Sequence, residues 1–167
     1  WRCKNSTDEK FFLHHTALKL EQYHATHVIF NLGAHYNARH FKSALENHKD
    51  FLRYLSDRKV KILVRTLGVT HFPSSSGDYS MPPASNAANY VCQRAPYPMK
   101  SIIIQQNKLL TELGQDLNAG VIDISGVSDD HLSHPTRKNG KYTRDCRHIC
   151  QNCDMLRSWN SLMLRYF

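Results

Sequence analysis

With 167 residues, 41% of them hydrophobic and 22% charged, the chain is sized for one domain with one core and has an ordinary globular balance. That excludes a multi-domain machine, a collagenous or coiled-coil rod and a disordered tail. Twenty-two Lys+Arg against fourteen Asp+Glu leave a net charge of +8, a surface that favours anionic partners: nucleic acid, phosphoinositide, or an acidic or sulfated glycan. No uninterrupted apolar run approaches the ~18 residues of a membrane span.

The first residues are polar and carry one glycosylation sequon, Asn5-Ser6-Thr7, which fits a secreted or luminal protein. His27 to Gly33 is a short apolar run closed by glycine and reads as a buried strand ending in a tight turn. From Arg39 to Asp57 the period changes. Phe41, Ala44, Leu45, His48, Phe51, Leu52 and Leu55 recur at steps of three and four with cations between them, the pattern of an amphipathic helix. Val60 to Thr66 is a second, β-branched strand. Thr70 to Pro98 holds five of the six prolines and predicts a long loop rather than a long helix or strand. Ile102, Ile103, Leu109, Leu110, Leu113 and Leu117 then mark a second helix, and Gly120 to Ile124 a third strand. Met155, Leu156, Trp159, Leu162, Met163 and Tyr166 form the apolar face of a closing helix.

This alternation predicts an α/β protein, one domain over residues 1–167, with a parallel sheet covered on both faces and right-handed crossovers. Ligands of such sheets bind beyond the carboxyl ends of the strands. The polar residues that follow the strands are therefore the candidates: Asn31, Gly33 and His35; Arg65, Thr66 and His71; and the stretch from Asp129 to His148.

Two chemistries fit the densest cluster, Asp145-Cys146-Arg147-His148-Ile149-Cys150-Gln151-Asn152-Cys153. Asp145 can orient the imidazole of His148 and leave its Nε2 to take a proton from a hydroxyl nucleophile, as half of a serine-hydrolase site does. Alternatively, Cys146, His148, Cys150 and Cys153 supply three thiolates and an imidazole to a zinc ion, in a spacing tighter than that of a standard finger. The plain structural reading is surface disulfides and an exposed His148. The cysteines number five, so they cannot all pair within the chain.

Asn31-Leu32-Gly33-Ala34-His35 offers a glycine N–H and neighbouring side-chain donors to an oxyanion, although strand-Gly turns are common. Arg65 and His71 suit an anionic or sugar group, and equally a structural ion pair and a loop histidine. Gly77-Asp78-Tyr79-Ser80 imitates a nucleophile motif with its serine displaced by one residue. Nucleic-acid binding rests on charge alone, without a recognisable module that interleaves aromatic and basic residues.

In order and spacing these segments resemble the PC-esterase group, in particular the plant trichome-birefringence-like polysaccharide O-acetyltransferases, relatives of the SGNH/GDSL hydrolases. Asp145-Cys146-Arg147-His148-Ile149-Cys150 followed by Trp159-Asn160-Ser161-Leu162 is similar to that group's D-C-x-H-W-C and W-N-x-L-L signature. Asp130-His131-Leu132-Ser133-His134-Pro135 is similar to its D-x-H-P segment. Asn31-Leu32-Gly33-Ala34-His35-Tyr36 looks like N-T-G-H-W, Arg65-Thr66 with His71-Phe72 like its R-T and H-F pair, and Cys92 falls where the group has a loop cysteine.

The resemblance covers about Val28 to Leu164. It implies a luminal three-layer α/β/α sandwich whose Ser-His-Asp triad moves acetyl groups on or off sugar hydroxyls through an acyl-enzyme, without a cofactor or a metal. On that pattern Asp145 and His148 are the orienting acid and general base, and Gly33 with His35 or Asn31 lines the oxyanion hole. Arg65 and His71 lie near the substrate, and Cys92 pairs with Cys146 or Cys150. A glycan is the implied partner rather than nucleic acid. The compartment is the Golgi lumen or the exterior, with the membrane reached only through an N-terminal anchor.

The chain departs from the pattern in three places. It contains no G-D-S nucleophile motif, Ile149 replaces a Trp, and Gln151-Asn152-Cys153 replaces a Pro-Gly pair. The expectation is an incomplete sandwich that lacks the first strand and the nucleophile, inactive alone. The alternative is a non-catalytic module that binds glycan or zinc.

Overall fold

A computed structural model describes residues 6–33, 38–72, 74–75, 92–128, 137–138, 141–142, 146 and 154–167. In chain order these form α1 (Ser6–Gln22), β1 (His27–Phe30), α2 (Ala38–Asp57), β2 (Lys61–Arg65), α3 (Tyr97–Asp116), β3 (Gly120–Ile122), β4 (Arg137–Lys138), β5 (Lys141–Tyr142) and α4 (Asp154–Met163), with single 3-10 turns at Ser125–Val127 and Leu164–Tyr166. The fold is mixed α/β. Its main sheet is parallel with the order β1-β2-β3, and β4 and β5 form a separate antiparallel ribbon. No helix among the described residues is long and apolar enough to cross a membrane.

The chain divides into two compact units, one formed by Trp1–Arg65 with Lys108–Val121, the other by Thr66–Asn107 with Ile122–Phe167. In the first, β1 and β2 run in register from His27 opposite Lys61 to Phe30 opposite Val64. Ile62, Leu63 and Val64 are all buried, as a continuous apolar run in a central parallel strand requires. β1 lies at the sheet edge, and Ile29 there is 41% exposed.

α2 packs on β2 and α1 on α2. The predicted stripe of α2 is the one that turns inward, with Phe41, Ala44, Leu45, Leu52 and Leu55 buried. His48 on the same face bonds through Nδ1 to the Ala44 carbonyl at 2.7 Å, and its ring centroid lies 5.5 Å from that of Phe30. Helix α1 has no counterpart in the sequence reading. Its apolar residues wrap around the helix, so that Leu13 and Ala17 are buried while Phe12 and Leu18 stay about half exposed, and no single stripe announces it.

All three sheet strands are entered through the same turn. His24, Lys59 and Asn118 take left-handed φ values of 51°, 64° and 49°. Each donates its N–H three residues back while the next residue donates five back: Ala25 to Leu20, Val60 to Leu55 and Ala119 to Gly114. These are Schellman caps built without glycine. They stop each helix two residues after its last turn and aim the chain into the following strand. Helix α3 also comes close to β3: a Cβ on Gly114 would lie 2.5 Å from Val121 Cγ2, so any larger residue there forces Val121 to shift.

In the second unit, α3 starts at Tyr97, five residues ahead of its first predicted apolar position. Pro98 falls in the opening turn, where an N–H is not needed. The third strand ends at Ile122 rather than at Ile124, because the Ile124 N–H donates to the Thr66 hydroxyl at 2.8 Å instead of continuing a backbone ladder. The β4–β5 ribbon is also absent from the sequence reading, although Asn139-Gly140 between its strands is the dipeptide that two-residue hairpin loops favour.

Candidate functional site

The residue that follows β1 and the last residue of β2 are tied to each other. Asn31 donates from Nδ2 to the Arg65 carbonyl at 3.0 Å, and Arg65 donates from Nη2 to Asn31 Oδ1 at 3.0 Å. This reciprocal pair clamps the carboxyl ends of two adjacent strands. Burial pushes the guanidinium of Arg65 down from the usual arginine range, yet an arginine so lowered still carries its charge near neutral pH. The Asn31 carboxamide is thus bonded to the Arg65 backbone, and the Arg65 guanidinium to a neutral amide. Two residues after Asn31, Gly33 has φ 140°, a conformation that favours glycine.

His71 belongs to the other unit and is fully buried, at 0% exposure. Its N–H donates to the Cys146 carbonyl at 2.9 Å, and its own carbonyl accepts from the Gln93 N–H at 2.9 Å. Cys92 and Cys146 are joined by a disulfide. The His71-Phe72 strip is therefore gripped by Cys146 and by the residue next to Cys92, and His71 is a loop histidine that is buried. Cys146 is likewise 0% exposed. Its sulfur is bonded to Cys92 and so is no thiolate, which takes it out of the zinc donor set proposed for Cys146, His148, Cys150 and Cys153. Among the described residues no cluster could hold a metal.

Three interactions here have no counterpart in the sequence reading. Asn107 on α3 accepts from the Leu67 N–H at 2.7 Å and donates to the Leu67 carbonyl at 2.9 Å, so its side chain acts as a strand partner for the loop after β2. Asp123 Oδ1 accepts from the Thr66 hydroxyl at 2.9 Å, the Ser125 N–H at 2.9 Å and the Ser125 hydroxyl at 2.6 Å. Burial pushes the Asp123 carboxyl up, but the Ser125 hydroxyl and amide and the Thr66 hydroxyl outweigh it and hold the group below the usual carboxylate range. Finally, a Cβ on Gly68 would lie 2.8 Å from Ser128 Cβ and 3.7 Å from Trp159 Cζ2. The loop after β2 is therefore pressed against the Trp-Asn segment of α4.

Signals for two of these exist in the sequence. Asn107 falls on the inward stripe of α3, three residues before Leu110, and Asp123 directly follows the third apolar run. His35, Asp145, His148, Cys150, Cys153 and the sequon at Asn5 lie outside the described residues.

No known protein-family model matches the chain, and no curated protein does. What the described residues define is a class: a mixed α/β protein with a small three-stranded parallel sheet.

Proposed function

We propose that the chain is part of a carbohydrate O-acyl (acetyl) transferase or esterase of the PC-esterase type, with Asp145 and His148 as the acid and base of its triad. One observation carries the reading. Cys146, the residue between Asp145 and Arg147, is bonded through sulfur to Cys92 and through its carbonyl to the His71 N–H. The segment that bears the dyad is thus anchored to the His-Phe strip that the resemblance puts beside the substrate. The parallel sheet, the Gly33 turn and the contact of Trp159 with the Gly68 loop support it. The finer architecture belongs to this reading: a three-layer α/β/α sandwich, with a further strand bearing the nucleophile on the open edge of β1.

In this mechanism Asp145 accepts from Nδ1 of His148, and His148 Nε2 takes the proton of a serine hydroxyl as that oxygen attacks the acyl carbonyl. Gly33, with His35 or Asn31, steadies the oxyanion. Collapse forms the acyl-serine and breaks the bond to the donor oxygen, which leaves with the proton from His148. A sugar hydroxyl or water then gives its proton to His148 and takes the acyl group, and the released serine oxygen recovers that proton from His148. The 167 residues contain no G-D-S motif, so the reading requires the serine from a longer parent protein. No cofactor enters, and the disulfide suits a luminal or secreted site.

The test is acetyl release by the parent protein from acetylated glycan or a chromogenic acetate. His148→Ala and Asp145→Asn are each expected to lower kcat by about 10³-fold or more. Near-normal turnover in His148→Ala would sink the assignment. A parent that is inert but binds glycan would instead mark a binding module.

A further inference from the structure

Among the described residues, six buried side chains are polar: Thr66, Thr70, His71, Gln106, Asn107 and Ser128. All six belong to the second unit, whereas the buried side chains of the first are apolar. Three of them lie on the loop that follows β2, and Asn107 on α3 is bonded to that loop through both polar atoms of its carboxamide. A buried amide costs desolvation that its own hydrogen bonds roughly offset, and what it adds is a single arrangement of the groups it holds.

We propose that, within the O-acyl reading on which this rests, Asn107 is a positioning residue for the Asp145–His148 pair. It acts through the loop from Leu67 to His71 and the carbonyl of Cys146. Asn107 belongs to none of the segments that carry the resemblance. β2 ends at Arg65, so Leu67 lies beyond the strand, and Asn107 stands in there for a neighbouring strand. It accepts from the Leu67 N–H at 2.7 Å and donates to the Leu67 carbonyl at 2.9 Å, which fixes the direction of both peptide planes that flank this residue. The next residue is pinned by packing, since a Cβ on Gly68 would lie 2.8 Å from Ser128 Cβ and 3.7 Å from Trp159 Cζ2.

At the far end of the loop, the His71 N–H donates to the Cys146 carbonyl at 2.9 Å, and Cys146 is the covalent neighbour of Asp145. A loop released at Leu67 passes its shift through His71 to Cys146. Catalytic groups tolerate little of this, because a displacement of about 1 Å can cost about 10²-fold in rate. The loss falls on kcat, since the proton transfer by His148 is made only in the transition state.

The test uses Asn107→Leu and Asn107→Ser in the full-length protein, with kcat and KM for acetyl release measured well below the melting temperature of each variant. Serine leaves room for water beside the Leu67 peptide groups and keeps the test available if the leucine variant does not fold. Hydrogen exchange at the His71 amide is followed in the same proteins. Gly114→Ala, which disturbs Val121 in the first unit, is the control for lost stability. Both Asn107 variants are expected to lower kcat by about 10²-fold, to leave KM within about twofold, and to speed exchange at His71. Gly114→Ala is expected to keep wild-type kcat and wild-type exchange at that amide.

An equal fall of kcat in Gly114→Ala would overturn the proposal, because activity would then follow stability alone. So would a loss confined to KM, or exchange at His71 that is indifferent to Asn107. A wild-type protein that releases no acetyl would sink the O-acyl reading and this role with it. A wild type that turns over, with a kcat insensitive to Asn107, would overturn the positioning role and leave the O-acyl reading standing.

Discussion

Replacing Cys92 and Cys146 together by alanine tests the contact on which the site depends. The bond spans 54 residues. Opening a loop of that length returns about 14 cal/mol/K of chain entropy to the unfolded state, or about 4 kcal/mol at 25 °C. Alanine suits the buried Cys146 position because it adds no polar group, so the loop term dominates. For a chain of this size the loss corresponds to a fall in Tm of roughly 8–16 °C.

The assay is thermal melting of the oxidised wild type, the reduced wild type and C92A/C146A, with hydrogen exchange at the His71 and Gln93 amides. The account predicts that the reduced and mutant proteins melt together, well below the oxidised one. Both amides should exchange faster, because the His71 N–H bonds to the carbonyl of Cys146 and the Gln93 N–H belongs to the residue next to Cys92. A shift under about 3 °C, or non-reducing peptide mapping that pairs Cys146 with any cysteine other than Cys92, would refute the reasoning.

Asn107→Leu keeps the volume but strips a buried N–H and C=O of Leu67 of their partner, and is expected to cost about 3 kcal/mol in urea unfolding; a cost below about 1 kcal/mol would mean that water or another group replaces the amide. Asp123 holds its proton less tightly in the folded chain than in the unfolded one, so its contribution is present above the unfolded carboxylate value and is lost as pH falls through the lower folded one. Asp123→Asn is therefore expected to be slightly less stable at neutral pH, by about 1 kcal/mol after allowance for solvent, and to converge with wild type in acid; a difference that does not vary with pH would contradict this. Gly114→Ala improves helix propensity yet must push Val121 aside, so a net loss of about 1–3 kcal/mol is expected; a gain in Tm would show that α3 can move away from β3 at no cost.

Elements that declare a single face were legible in the sequence. The stripe of α2 from Phe41 to Leu55 and the unbroken Ile62-Leu63-Val64 run gave both type and burial, because periodicity reports directly which side meets the core. Helix α1 was not legible because Leu13 and Ala17 face inward while Phe12 and Leu18 beside them do not. The end of β3 was set by the Thr66 side chain, a partner more than fifty residues away that no local pattern shows. The β4–β5 strands have two residues each, too short for alternation to register.

At the site, Asn31 and Arg65 were picked out by their place after strands, but their bond to one another was not, since a polar residue after a strand does not name its partner. Asn107 was hidden because an asparagine within a Gln-Gln-Asn run looks solvated unless its helical phase is followed. The Cys92–Cys146 bond was reached only as one of two pairings that the resemblance implied, and the structure selects between them.

The central claim is that His148, oriented by Asp145, activates a serine. Labelling the full-length protein with a fluorophosphonate, followed by peptide mapping, tests it most directly. The account predicts modification of one serine in a G-D-S context, lost in His148→Ala and strongly slowed in Asp145→Asn. A parent that takes no label, or one whose labelling is indifferent to His148, would contradict it.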